Sequence, residues 1–147
     1  MSLRSYRGHP VIVTFIDPVC RNLCPLQAKV LDQAVREMPV SRRPAILAVS
    51  VDVYADTRAD LLRDFRKWEL VRQWRWAVGS RARLTAVWRS YKIAVAVSRV
   101  KVRGTTITSI THTSAAYIVD RTGHERALFL WPFYPQDVVH VLRQLPS

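Results

Sequence analysis

The sequence contains little cysteine, few acidic residues and no long apolar run. Cys20 and Cys24 are the only cysteines among 147 residues, which excludes a scaffold built on several disulfides. Two cysteines alone also cannot complete the tetrahedral set of a structural zinc site. No apolar run approaches the roughly 20 residues of a membrane-spanning helix, and the longest runs have the length of strands. The opening residues lead straight into one of these runs, so this end of the sequence does not indicate a compartment.

Acidic residues are scarce enough to give the chain a net charge of +12, from 23 Lys and Arg against 11 Asp and Glu. Between Glu69 and Asp120 there is no acidic residue, and nine are basic: Arg72, Arg75, Arg81, Arg83, Arg89, Lys92, Arg99, Lys101 and Arg103. Such a stretch is either a solvated arginine-rich surface or a docking face for an anionic partner. We expect an acidic protein, with an anionic membrane surface as the alternative. No nucleic-acid partner is expected, because no recognition-helix or RNA-binding signature accompanies the charge.

Apolar periodicity predicts strands alternating with helices. The predicted strands cover residues 11–16, 45–51, 74–78, 115–119 and 125–131. The predicted helices cover residues 26–38, 81–91 and 136–145, together with one that Asp56 or Thr57 caps and that extends to Trp68. This order predicts an α/β protein, a thioredoxin-like three-layer sandwich with a central mixed β-sheet, in one domain over residues 1–147.

The two cysteines lie between the first predicted strand and the first predicted helix, in a Cys-x-x-x-Cys spacing that ends at Pro25. A helical turn would place both thiols on one face, which suits either a disulfide or a shared soft metal. The positive end of the helix dipole is expected to lower their pKa and favour the thiolate, which binds metal or attacks a disulfide. A structural disulfide and two unrelated buried thiols are the alternatives.

Several motifs resemble, in order and spacing, those of the Sco/SenC family of copper-binding proteins that take part in cytochrome c oxidase assembly. The motifs are Cys20 to Pro25 after an apolar strand, Ser50-Val51-Asp52 followed by Asp56-Thr57, Trp74 to Gly79, Tyr91-Lys92-Ile93, His112 five residues before Tyr117, and Ile118-Val119-Asp120 before Gly123. Asp17-Pro18 departs from the pattern, since the family usually has an aromatic residue and threonine there. The family's N-terminal anchor and first β-hairpin have no counterpart in this sequence.

The resemblance implies that one copper ion, Cu(I) or Cu(II), is bound by Cys20, Cys24 and His112. The protein would then be a copper chaperone rather than an enzyme. It would act as an extracytoplasmic monomer and deliver copper to an acidic acceptor such as a copper-binding subunit of the oxidase. Asp52 would support the ligands or dock a partner, while Asp56 fits a helix cap better. The other histidines, His9, His124 and His140, have no matching context.

A thiol-disulfide oxidoreductase is the competing function. In that case Cys20 would attack a partner disulfide and Cys24 would resolve the mixed intermediate. Oxidoreductases of the thioredoxin type carry a cis-proline before the strand that faces the redox pair. This sequence has no proline between Pro44 and Pro132, and residues 111–114 stand in the corresponding place. A histidine in that segment fits metal binding better than pairing with a substrate peptide.

Overall fold

Seven strands and three α-helices occur in residues 2–20, 22–53, 63 and 66–146, which are the residues that the computed structural model describes. The strands are β1 Val11–Ile16, β2 Ala45–Ser50, β3 Trp74–Ala77, β4 Val95–Val102, β5 Thr105–His112, β6 Ala115–Val119 and β7 Glu125–Leu130. The helices are α1 Leu23–Arg36, α2 Arg81–Ser90 and α3 Pro135–Gln144. Short 3-10 turns lie at Leu3–Tyr6 and Val40–Arg42.

Five of the strands form a mixed sheet in the order β3-β2-β1-β6-β7. Strands β1, β2 and β3 are parallel, while β6 runs antiparallel to β1 and β7 antiparallel to β6. All six residues of β1 are buried, because β1 lies at the centre with helices on both faces. The largely apolar sequences of β1 and β6 are therefore those of strands with no face toward solvent.

Helices cover both faces of this sheet. On one face, alternate strand residues such as Ile12 and Ile118 pack against α1 and α3. On the other face, residues of opposite parity such as Val13 and Tyr117 pack against Leu84 and Trp88 of α2. This arrangement confirms the predicted three-layer sandwich with a central mixed sheet.

The bounds of the predicted elements agree with the structure to within three residues at each end, wherever the structure describes them. Most of the helix that was predicted to extend to Trp68 lies outside the described residues, as does its proposed cap at Asp56 or Thr57. Among the helices of the described part, none has the length and apolar character that crossing a membrane requires.

Strands β4 and β5 were not predicted, and they form a separate two-stranded hairpin. Each strand has eight residues, or about 25 Å of extended chain. Arg103 and Gly104 both have positive φ, 50° and 79°, as the two central residues of a tight hairpin turn require. At the base, the Thr113 amide donates to the Ala94 carbonyl. His112 is the last residue of β5, so the hairpin ends at a predicted ligand.

Candidate metal centre

The candidate site lies at the edge of the sheet where β1 ends. Cys20 is in the loop that follows β1, and Cys24 is in the first turn of α1. Since β6 runs antiparallel to β1, the segment that enters β6 reaches the same edge, and it begins with His112. The Cys24 Sγ and His112 Nε2 atoms, 88 positions apart in sequence, are 3.6 Å apart.

A backbone hydrogen bond orients the His112 ring. Its Nδ1 lies 2.9 Å from the Thr113 carbonyl oxygen, which can only accept, so Nδ1 carries the proton and donates. The lone pair of Nε2 is consequently left facing Cys24. Burial lowers the pKa of His112, which favours the neutral ring, although the Thr113 hydrogen bond and the Asp17 charge oppose this shift. A neutral imidazole whose other nitrogen donates to a carbonyl is typical of metal-binding histidines.

The pKa of Cys24 is shifted in the direction opposite to the one expected from the helix terminus. The side chain is only 2% exposed, and burial raises the pKa of the Cys24 thiol well above its usual range. A backbone hydrogen bond at Asp17 opposes this effect but is smaller, whereas nearby Cys20 raises the pKa further. Burial therefore favours the protonated thiol, and a metal that binds Cys24 must displace this proton.

Cys20 is the accessible member of the pair. Both thiols are free, and Cys20 is half-buried in the loop before α1. In the part of the chain that the structure describes, no three His, Cys, Asp or Glu side chains already form a group that could hold an ion. Cys24 and His112 are in contact, and Cys20 is the third donor whose loop position would allow it to complete the set.

Two buried carboxylates lie at the same edge. Asp17 directly follows β1 and Asp52 follows β2, and they are 6% and 4% exposed. The Asp17 Oδ1 atom accepts a hydrogen bond from the Val19 amide over 2.9 Å. Burial raises the pKa of Asp17, and the charge of Asp52 raises it further, while His112 and two backbone amides oppose the shift. Sequence reasoning noted Asp17 only as a departure from the family pattern, although a carboxylate at the carboxyl end of a buried strand was a usable signal.

Gln27 also belongs to the site, and sequence reasoning did not identify it. It lies on α1 three residues after Cys24 and is 1% exposed. Its amide nitrogen donates to Thr14 Oγ1 over 2.6 Å and to the Ala115 carbonyl over 3.2 Å. Thr14 is in β1 and Ala115 opens β6, so Gln27 ties the helix that carries Cys24 to the strand that follows His112.

We predict that Gln27→Met lowers the free energy of unfolding by about 1–2 kcal/mol, since buried hydrogen bonds are lost while the volume is nearly kept. The same variant should bind metal several-fold more weakly, because the register of Cys24 against His112 loosens. Chemical denaturation and metal titration measure the two effects. Leu26→Met, at an exposed neighbour on the same helix, is the control. Equal metal affinity in both variants would contradict a positioning role for Gln27.

The remaining histidines lie in other parts of the fold, and two of them have side-chain contacts of their own. His124 Nδ1 is 2.7 Å from Thr122 Oγ1 in the turn between β6 and β7. His140 Nε2 is 3.0 Å from the amide nitrogen of Gln144, one turn further along α3. Neither contact involves the cysteine pair, in agreement with the absence of any matching sequence context.

Comparison with known families decides the affiliation of the chain. A model of the SCO1/SenC family matches residues 1–146. The chain belongs to the SCO1/SenC family. No curated protein is significantly similar to it in sequence.

Solved structures share the fold at low sequence identity. Bradyrhizobium japonicum ScoI, solved with copper bound, is 22% identical with a TM-score of 0.79, over 97% of this chain and 88% of its own. BsSco, a Sco protein of cytochrome c oxidase assembly with a disulfide switch, is 20% identical with a TM-score of 0.73, over 97% and 83%. A SCO1/SenC family lipoprotein from Bacillus anthracis is 16% identical with a TM-score of 0.77, over 99% and 86%.

Proposed function

We propose that this protein is a copper chaperone that binds one copper ion through Cys20, Cys24 and His112 and delivers it during assembly of the copper centre of cytochrome c oxidase. Family membership supports the general role, and the copper-bound ScoI from Bradyrhizobium japonicum supports the choice of metal. The ligand set and the delivery step are inferred from the chemistry of this chain.

The observation that carries the proposal is the contact between Cys24 Sγ and His112 Nε2. Bonds from a late first-row metal to thiolate sulfur and imidazole nitrogen are about 2.3 and 2.0 Å. Their sum exceeds the 3.6 Å between the two atoms, so one ion could bond to both without separating α1 from the β5–β6 connection. The Nδ1 hydrogen bond to Thr113 already holds the ring in the tautomer that such a bond requires.

The donor set fits copper better than the other common metals. Two thiolates and one imidazole form a soft set of low coordination number that suits Cu(I), and Cu(II) could add a further ligand. An acceptor thiolate or imidazole could enter through the open position and replace the ligands one at a time. Cys20, at the accessible rim, would exchange first, and buried Cys24 would release the ion last.

The oxidoreductase alternative relies on the same two thiols, with half-buried Cys20 to attack and buried Cys24 to resolve. It gives no role to His112, whose free lone pair faces Cys24. The disulfide switch of BsSco is consistent with thiol oxidation in a relative that takes part in oxidase assembly. We therefore propose that oxidation of the two thiols controls whether the protein can bind metal. We do not propose that it turns over a disulfide substrate as an enzyme.

The setting of this function is also part of the proposal. We place it in a single domain over residues 1–147 that acts as a monomer outside the cytoplasm, as the lipoprotein relative suggests. The acceptor would be an acidic copper-binding protein of the oxidase, with an anionic membrane surface as a second contact. Asp52 is 4% exposed, so we assign it to support of the site next to Asp17 rather than to docking.

His112→Ala tests the ligand set. We predict at least about a tenfold loss of copper affinity and a changed charge-transfer spectrum of the Cu(II) form, because one of three ligands is removed. The fold should remain intact, because His112 lies at the base of a hairpin outside the central sheet. Titration of the reduced protein with Cu(I) and Cu(II), with competing chelators, measures affinity and stoichiometry.

His140→Ala is the matched control, since His140 is exposed on α3 and its side chain contacts Gln144 of the same helix. It should leave both affinity and spectrum unchanged. If His112→Ala bound copper as tightly as the control and with the same spectrum, His112 would not be a ligand and the oxidoreductase function would become the better assignment.

A further inference from the structure

A groove of about 330 Å³ adjoins half-buried Cys20. Its lining residues are Pro18, Val19, Cys20, Pro25, Lys29, Arg63, Lys67 and Trp68. Three separate parts of the chain meet here, namely the loop before α1, the exposed side of α1 and the segment before β3. Only Cys20, of the three proposed ligands, lines the groove, so it lies beside the metal centre rather than within it.

The lining of the groove combines cationic and apolar side chains. Lys29, Arg63 and Lys67 contribute three positive charges, and no acidic side chain is found among the described residues that line it. Trp68 also lines the groove, and its ring packs against Trp76 of β3 with centroids 6.5 Å apart. A ring held by this contact offers a fixed surface for an apolar side chain, while the cations beside it would attract carboxylates.

The groove's position at Cys20 determines what it could recognise. Any partner that reacts with or coordinates to the Cys20 sulfur must place its own thiol or ligand at the end of this groove. Residues next to that group in the partner sequence would then run along the cationic walls. Carboxylates there are attracted at long range and fix the partner's orientation before ligand exchange, whereas lysines or arginines are repelled.

We propose that this groove is the recognition site for an acidic peptide segment of the acceptor, in which Asp or Glu residues flank the cysteine that meets Cys20. The inference rests on the proposed function for the identity of the acceptor, but the recognition itself concerns only Cys20 and its surroundings. It assigns acceptor selection to Lys29 and Lys67 rather than to the overall charge of +12.

The experiment uses two synthetic peptides with one cysteine each, Gly-Glu-Glu-Cys-Glu-Gly and Gly-Gln-Gln-Cys-Gln-Gly, both activated as mixed disulfides with thionitrobenzoate. The Cys20 thiolate attacks the peptide sulfur, the bond to thionitrobenzoate breaks, and the coloured thiolate leaves while the peptide becomes disulfide-bonded to Cys20. Cys24 can then attack the Cys20 sulfur and release the reduced peptide. The measured quantity is the ratio of initial rates for the acidic and neutral peptides.

We expect the acidic peptide to react about tenfold faster in about 10 mM salt, with most of the preference lost above about 0.3 M salt, where charges are screened within a few ångströms. Lys29→Gln/Lys67→Gln should bring the ratio close to one. Because the readout is a ratio, a change in the intrinsic reactivity of Cys20 cancels. Lys101→Gln/Arg143→Gln removes the same charge from exposed residues outside the groove and should retain the preference.

Equal rates for the two peptides with the unaltered protein would overturn the inference, as would an equal loss of preference in both double variants. Copper titration of the same variants separates this result from the proposed function. If copper binds normally but the two peptides react at equal rates, the groove is not a recognition site for acidic segments and the proposed function stands. A preserved preference in a protein that binds no copper rejects the chaperone function and leaves the groove as the docking site of a thiol-exchange partner.

Discussion

Oxidation of Cys20 and Cys24 to a disulfide should abolish the binding of one copper ion per chain that we propose for the reduced protein. A disulfide has no thiolate to offer, and two of the three proposed donors are lost at once. We expect an affinity loss well beyond the roughly 10–100-fold that loss of a group supporting a ligand produces. The reduced protein with Cu(II) should also show absorption from charge transfer between thiolate and metal, and the oxidised protein should not.

Cys24→Ala should reproduce most of this loss of copper affinity without oxidation. Because the substitution also affects the stability of the fold, it needs a control of equal stability. Cys24 packs in the core, so the substitution should lower the free energy of unfolding by about 1 kcal/mol. Ala28→Gly, one turn further along α1 at a fully buried position, costs about the same and removes no donor. Should the disulfide form, or Cys24→Ala, bind copper as tightly as Ala28→Gly, the thiolate site would be wrong.

The central layers of this fold could be predicted from the sequence because burial leaves a clear pattern there. Strands β1 and β2 are apolar except for Thr14 and Ser50, and α1 shows helical spacing over three turns. The resemblance to the Sco/SenC family added the architecture that these elements adopt. The apolar pattern of the sequence and the architecture of the family agreed for the strands and helices that pack on the two faces of the central sheet.

The hairpin β4–β5 could not be identified from burial, since most of its residues are exposed on both faces. The end of β4 alternates basic residues with valine and β5 begins with a threonine-rich segment, so in the sequence the basic residues of β4 are seen only as part of a charged stretch. The alternation from Arg99 to Val102 and the glycine at the turn were the available signal. The nine basic residues between Glu69 and Asp120 are therefore divided among two strands, a helix and the segments that adjoin them.

The site was predictable only in part. Residue type and spacing indicated the cysteine pair, whereas His112 depended on the family resemblance because 88 positions separate it from Cys24. The expected low pKa of the thiols was wrong for Cys24, since a helix terminus is visible in a sequence but burial is not. Gln27 was missed for the same reason, because a polar residue on an amphipathic helix normally faces solvent.

Asp32→Ala should have the largest effect on stability of the variants considered, lowering the free energy of unfolding by about 2–4 kcal/mol. Asp32 Oδ1 accepts hydrogen bonds from the Val71 amide over 2.7 Å and from Trp74 Nε1 over 3.0 Å. The variant leaves both buried donors without that acceptor. Loss of the ion pair with half-exposed Arg36 adds little, because water screens that partner.

This carboxylate holds the segment that enters β3 against α1, so its removal should open the edge of the sheet first. Thermal unfolding should show a midpoint lower by roughly 5–15 °C. Gln33→Ala, beside it on the exposed side of α1, should change the stability by less than about 0.5 kcal/mol. Asp32→Asn, which keeps one carbonyl acceptor, should fall between the two. Copper stoichiometry should not change, because Asp32 lies about 12 Å along the helix from Cys24. A cost for Asp32→Ala no greater than that of Gln33→Ala would mean that the Val71 and Trp74 donors find water instead, and that α1 does not hold this edge.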